Sequence, residues 1–275
     1  MRVPSLTPAL AGVVLLAPAA LHAPVAPHTP VAADPHRDRP VVRGEGAGAG
    51  ADPPRERPGA RRKGAGADAD PPRQRPGARR KGAVAAADLL GRLGACHQIS
   101  HGRYRTDAGR RATVPVCGTR NAVFWKADLD IDCDGRSTAR CNHHTDPQFA
   151  TMTTYQQSDG RSLNAATLPY IVVPAPSRIW NPRAYGVRGG SVAAVVYRGR
   201  VQYAVVGDTG PRDLIGEASY ATARGLGIRA DPDGGGAPSG VTYIVFRNSR
   251  VHPIEDRAAA AATGARLARL FLTNR

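Results

Sequence analysis

The chain has 275 residues, a formal charge of +16 and 5% aromatic residues, a length that accommodates one or two ordinary domains. No apolar run approaches the ~20 positions that a bilayer-spanning helix requires, which argues against a membrane-embedded protein. The basicity is shared: residues 34–83 carry 13 Lys+Arg against 7 Asp+Glu, and the 192 residues from Val84 onward carry 24 against 15, or +9.

Residues 1–33 open with Arg2 and a short apolar stretch, "TPALAGVVLLAPAALHA", broken by Pro8 and Pro18 and followed by small residues. This is the pattern of a secretory signal, with cleavage anywhere from Ala19 to Ala33. Residues 34–85 contain "DPPRERPGARRKGA" at 52–65 and "DPPRQRPGARRKGA" at 70–83, a near-identical repeat with a period of 18. Proline, glycine and arginine dominate it and large apolar side chains are almost absent, so it is expected to be a disordered, partly polyproline-like linker. Its Arg-Arg-Lys clusters suit contact with a cell wall or another anionic surface, while nucleic acid is an unsuitable partner for an exported chain.

The folded domain is expected over 86–275. Four cysteines, Cys96, Cys117, Cys133 and Cys141, point to two disulfides in an exported protein. Three pairings exist, and sequence order favours Cys96 with Cys117 and Cys133 with Cys141. A zinc site has less support, since there is no Cys-x-x-Cys and His97, His101, His143 and His144 show no regular ligand spacing. From about Ala86 the chain reads as alternating apolar and polar positions. "AVFWKADLDID" puts Val123, Trp125, Ala127, Leu129 and Ile131 on one face and Phe124, Lys126, Asp128, Asp130 and Asp132 on the other. "YIVVPAP" predicts a short buried strand ending at Pro174. "GSVAAVVYRGRVQYAVVGD" predicts a hairpin turning at Arg198-Gly199, and "GVTYIVF" a further strand. Helices are expected near Gly216 and over "DRAAAAATGARLARLF", where Leu267, Leu270 and Phe271 recur at helical spacing. The fold class is therefore β-rich (α+β), a barrel-like or sandwich core with peripheral helices including a C-terminal one.

The chemistry concentrates in two stretches. In "DLDIDCDG", Asp130, Asp132, Asp134 and Gly135 match the opening of a calcium-binding loop, but the twelfth position, which should be Glu, is Cys141. In "VVGDTGPRDLIGEAS", Asp208 stands at a strand end and Glu217 nine positions later at what reads as a helix start. Two carboxylates on rigid elements are what glycoside hydrolysis requires, one protonated and one ionised. Each also has an ordinary structural use: Asp in a glycine turn accepts backbone hydrogen bonds, and Glu in a first helical turn complements the helix dipole. Asp213, beside an arginine, reads as surface. No Gly-x-Ser-x-Gly, phosphate-binding glycine loop or His-Glu-x-x-His supports another hydrolase or nucleotide chemistry.

Taken in order, "KADLDIDCDG", "LPYIVVP", "VVGDTGPRDLIGEAS" and "GVTYIVF" resemble the glycoside hydrolase family 75 chitosanases over most of residues 120–249. The resemblance implies a secreted microbial endo-chitosanase that cleaves β-1,4 linkages with inversion. Its two essential carboxylates fall on Asp208 and Glu217, with Glu217 as general acid and Asp208 as base. The Gly-Asp-Thr-Gly turn is also loosely similar to that of double-psi-barrel glycosidases. Chitosan is a polycation at mildly acidic pH, so Asp128, Asp130 and Asp132, spaced ~6.6 Å apart along one face, become expected substrate-binding residues together with Thr209. Trp125 and Trp180 offer stacking surfaces, although the register of Trp125 favours the core. No cofactor is expected, calcium at Asp130, Asp132 and Asp134 being the alternative, and a monomer is expected. The net charge of +9 on the folded part opposes a cationic substrate at long range, unless the groove itself is acidic. The competing functions are a non-catalytic, surface-attached glycan-binding protein and a peptidoglycan-acting enzyme of related barrel fold.

Overall fold

The computed structural model describes residues 83–273. Residues 1–33, expected to be a secretory signal, and the repeat up to residue 82 lie outside the described residues. The first described element is not a strand but helix α1 (Ala86–Leu93), whose Ala86, Leu89 and Leu93 are buried at i, i+3 and i+7. Eight residues are too few for periodicity to separate a helix from alternation when Ala and Gly fill the remaining positions.

Strand β1 (Cys117–Gly118) and the long β2 (Ala122–Asp132) follow, then β3 (Tyr170–Pro174), β4 (Val192–Tyr197), β5 (Arg200–Gly210), β6 (Glu217–Ser219) and β7 (Ala237–Phe246). The sheet order is β1-β2-β6-β3-β5-β4-β7, and β2 also pairs with β7. That last pairing closes β2, β6, β3, β5, β4 and β7 into a six-stranded barrel, which leaves the sandwich alternative unrealised. The hairpin between β4 and β5 turns where expected. Arg198 and Gly199 have φ of 43° and 77°, and Tyr197 pairs with Arg200, the left-handed pair that matches strand twist in a two-residue turn.

Alternation divides the barrel wall into two faces. Val123, Trp125, Ala127 and Leu129 of β2 join Ile171, Val195, Val206, Ala218, Tyr243 and Val245 in one buried cluster. Phe124, Tyr170, Val172, Ala194, Val205, Ile244 and Phe246 join α1 and helix α3 (Arg257–Thr273) in the other. Because helices cover the second face, the first is the barrel interior. Trp125 stacks on Tyr243 with ring centroids 5.2 Å apart and meets Trp180 edge-on at 6.3 Å. Both tryptophans are essentially unexposed, at 0% and 1%. Neither is a stacking surface for a ligand: the register that placed Trp125 in the core holds, and Trp180 joins it there.

Helix α3 forms as predicted, with Phe271 buried and Leu267 packed on the core, while Leu270 faces outward. Ala260, Gly264, Ala268 and Phe271 are buried and Leu270 is exposed, because small residues let the helix lie close to the barrel. A methyl group at Gly264 would come within 2.5 Å of the Tyr203 ring. Both disulfides expected from sequence order are present, Cys96–Cys117 and Cys133–Cys141, with Cα separations of 5.2 and 5.0 Å. Among the described residues, no helix is long and apolar enough to cross a membrane.

Candidate active site

The site is assembled on the outer face where β2, β6, β3 and β5 run side by side in that order. Asp130 pairs in parallel register with Glu217, and the Asp130 N–H donates to the Gly216 carbonyl at 2.9 Å. On β6 the inward residue is Ala218, so Glu217 points outward, to the side of Asp130. The helix expected from Gly216 begins later: Glu217 belongs to the strand, and helix α2 (Tyr220–Leu226) follows it. The changeover is fixed by Ser219, whose hydroxyl accepts from Thr222 N at 3.2 Å and from Tyr170 N at 3.0 Å and donates to the Leu168 carbonyl at 2.8 Å. One N-cap side chain thus joins the helix start to β3, and Glu217 sits two residues before that anchor.

Asp208 reaches the same face through an irregularity. The β3–β5 register runs Tyr170↔Val205 and Ile171↔Val206, then shifts to Val172↔Asp208, leaving Gly207 as an extra residue. Without it Asp208 would share the interior face with Ala204 and Val206. The bulge reverses the alternation and turns the carboxylate outward beside Val172. Asp208 is 6% exposed; its Oδ1 accepts from Thr154 N at 2.8 Å and from Thr209 N at 2.7 Å, while the Thr154 and Thr209 hydroxyls lie 2.7 Å apart. The second carboxylate oxygen is left to the groove. The backbone hydrogen-bonding use of this residue and its exposure to a ligand are therefore realised together.

These residues line a groove of about 540 Å³. Asp130, Asp132, Asp134, Asp146, Asp208, Glu217 and Asp231 contribute seven carboxyls to it, and no lysine, arginine or histidine lines it. The +9 of the folded part is accordingly elsewhere, and the groove is acidic. Glu217 is pushed up from 4.5 to about 7, first by burial and then by the charges of Asp130, Asp134 and Asp208. Burial likewise raises Asp130, Asp132 and Asp134, with neighbouring carboxylates adding to it. Glu217 Oε2 lies 2.9 Å from the point where a Cβ on Gly210 would sit, so the carboxyl rests over the glycine two residues beyond Asp208.

The sequence-predicted residues are distributed as follows. Asp130, Asp132, Thr209, Asp208 and Glu217 meet in the groove, while Asp128 faces a neighbouring recess that shares Asp130 with it. Asp132 Oδ1 accepts from Asp134 N at 2.7 Å and from the Tyr170 hydroxyl at 3.1 Å, and Asp134 Oδ1 accepts from Ala150 N at 2.7 Å. Among the described residues, the three carboxylates whose oxygens approach one another within 4.8 Å are Asp107, Asp128 and Asp130. Asp213 lies outside the groove in an ion pair with Arg105 at 3.3 Å, both half-exposed. Sequence reasoning did not identify Thr154, Tyr170, Asp146 or Asp231. The first two act through a backbone N–H and a core-side hydroxyl, and the last two sit in loops with no periodic signal.

Comparison with known proteins supplies the family. Residues 129–269 match the family described as fungal chitosanase of glycosyl hydrolase group 75. The chain is 31% identical over 133 residues to "Endo-chitosanase C" of Aspergillus oryzae, covering 47% of this chain and 32% of that protein. It is 33% identical over 138 residues to "Endo-chitosanase" of the same species, 46% of this chain and 56% of that one. To "Endo-chitosanase" of Aspergillus fumigatus it is 28% identical over 175 residues, 58% and 74% respectively. The chain thus spans between a third and somewhat over half of the length of the Aspergillus oryzae relatives. The match takes in just over half of the chain and contains β5, β6 and all seven groove carboxyls, Asp208 and Glu217 among them: the protein belongs to the glycosyl hydrolase group 75 family.

Proposed function

We propose that the protein is a secreted endo-chitosanase that hydrolyses β-1,4 glucosaminidic linkages with inversion, using Glu217 as general acid and Asp208 as general base and no cofactor in the chemical step. The observation that carries this reading is a carboxyl held at about 7, Glu217, in a groove that also holds hydrogen-bonded Asp208 and is lined by carboxylates without a basic side chain. Near pH 6 Glu217 retains its proton and can give it to the departing glycosidic oxygen. Asp208 takes a proton from a water that attacks the anomeric carbon from the opposite side, and its two backbone donors keep the carboxylate aimed while it does so. Inversion needs room for that water, a carboxyl separation of ~6.5–9.5 Å.

The acidic groove also supports a cationic polymer as substrate. Screening confines the repulsion from the net +9 to ~8 Å at physiological salt, while Asp130, Asp132 and Asp134 act at contact with the ammonium groups. In this reading Thr209 adds a hydroxyl next to Asp208, and the Pro/Gly/Arg-rich repeat holds the monomeric enzyme near anionic wall material. The experiment is incubation of the protein with highly deacetylated chitosan, measuring reducing-end release and the anomeric configuration of fresh products by proton NMR. Short oligomers of inverted configuration, lost in Glu217→Gln while chain binding persists, are the expected result. Binding without cleavage would make it a glycan-binding protein, and muropeptide release with chitosan untouched would redirect it to peptidoglycan.

A further inference from the structure

Beside the groove, on the far side of Asp130, lies a recess that includes Thr106, Asp107, Arg110, Asp128 and Ala237 in its wall. Asp107 sits in the excursion between Tyr104 and Val114, which are bonded to each other through both backbone groups. The excursion is held at its base by Arg105 N donating to the Asp213 carbonyl at 3.0 Å. It brings a third carboxylate to two already on β2: one oxygen from each of Asp107, Asp128 and Asp130 lies within 4.8 Å of the others. Asp128 is 5% exposed, and its Oδ1 is buried without any hydrogen-bond donor. That oxygen is packed so closely on Gly216 that a Cβ there would come within 1.9 Å of it. Among the described residues neither Asp128 nor Asp130 forms an ion pair, and Asp107 has only Arg110, 3.8 Å away and largely exposed.

A buried carboxylate with no donor, next to two more of the same sign, is an arrangement that a bound cation satisfies and that water alone does not. We propose that Asp107, Asp128 and Asp130 form a divalent-cation site of calcium type, beside the Asp208 and Glu217 pair and sharing Asp130 with the groove. All three ligands are hard oxygens, which selects calcium-like ions over zinc or copper. Calcium–oxygen distances of ~2.3–2.6 Å allow ligands of one ion to lie up to ~4.6–5.2 Å apart, and the three oxygens lie within 4.8 Å of one another. Magnesium demands near-ideal octahedral geometry and dehydrates reluctantly, so a carboxylate cluster on a loop and a strand favours calcium. The Thr106 hydroxyl donates to Asp107 Oδ2 at 3.0 Å, which orients that carboxylate. The bound ion ties the 105–113 excursion to β2 at Asp130, the residue in register with Glu217. The site would therefore stiffen one wall of the groove whether or not the groove cleaves chitosan.

The test uses the full chain, treated with chelator and dialysed, titrated calorimetrically with calcium chloride and then with magnesium chloride, with melting temperature followed in parallel. Saturable binding of one calcium per chain with a raised melting temperature, and magnesium at least tenfold weaker, is expected. Asp107→Asn lies on an exposed turn and should weaken calcium at least tenfold without unfolding the protein, while Asp213→Asn at the base of the excursion should leave binding unchanged. Absence of saturable calcium binding, or calcium binding indifferent to Asp107→Asn, overturns the proposal. So does a third outcome, in which Asp107→Asn weakens chitosan oligomers but the parent binds no calcium, since the triad would then be an ammonium subsite.

Discussion

Replacing Glu217 by Gln sets the electrostatics of the groove against its chemistry in one protein. Burial, reinforced by Asp130, Asp134 and Asp208, raises Glu217 from 4.5 to about 7. Between those values the folded protein keeps a proton that the unfolded chain has already released. The stability associated with this proton is complete below the unfolded value and is lost as pH rises through the folded one. At ~1.4 kcal/mol per tenfold change in proton affinity, the displacement from 4.5 to about 7 corresponds to roughly 3 kcal/mol lost by about pH 8. Gln has nearly the same shape and no charge, so it does not incur that loss. Urea unfolding at about pH 4 and about pH 8 should show the variant gaining on the parent by on the order of 3 kcal/mol across the interval. Chitosan hydrolysis should meanwhile fall ~10²- to 10⁴-fold, the usual contribution of a general acid. Parallel stability curves would refute the claim that the fold holds this carboxyl protonated. Diverging curves with undiminished hydrolysis would refute its role as the acid.

Four further outcomes follow from the same geometry. The rate of chitosan cleavage should decline as pH rises through about 7, where Glu217 loses its proton, and a pH profile of kcat/KM checks this. Asp208→Asn keeps an oxygen for the Thr154 and Thr209 N–H groups, so stability should stay within ~1 kcal/mol of the parent while hydrolysis drops ~10²- to 10⁴-fold. Gly210→Ala places a methyl 2.9 Å from Glu217 Oε2 and 3.2 Å from Val172, so kcat should fall with little change in melting temperature. Trp125→Ala removes a fully buried ring and should cost ~3–5 kcal/mol with KM unchanged in the folded fraction; a raised KM at parental stability would restore the ring to a sugar-binding role.

Legibility in the sequence followed the regularity of the backbone. The period-two pattern of "AVFWKADLDID" placed Trp125 inside and the aspartates outside because β2 keeps its alternation for 11 residues, and the irregularity opposite Ala127 and Leu129 is absorbed by β7. The hairpin at Arg198-Gly199 was readable because so short a connection admits few turn types. What escaped was produced by single residues. Gly207 reverses the face of everything after it on β5, yet in sequence it is one small residue in an apolar run. Gly216 has φ of +129°, a conformation that suits glycine, and leads directly into Glu217; "IGEAS" therefore reads as a helix start although the chain first makes three residues of strand. Asp107 reaches Asp128 through a pairing of Tyr104 with Val114 that no local pattern announces.

The carboxylates that make the groove attractive to a cation also keep it from carrying its full formal charge. Asp130, Asp132, Asp134 and Glu217 are all raised, each by burial first, so below neutrality part of the groove is protonated and the negative field is smaller than seven carboxyls suggest. An arriving ammonium reverses the like-charge part of that effect and draws protons off, so the groove acquires charge as its ligand enters. The burial that raises each of these groups, Glu217 between β2 and β3 among them, is the contribution that a bound cation cannot remove, so Glu217 keeps that part of its upward shift as the ammonium enters. The net charge of +9 outside the groove is compatible with this arrangement because it acts over the whole surface and is screened within ~8 Å, whereas the exchange of protons for ammonium groups takes place at contact.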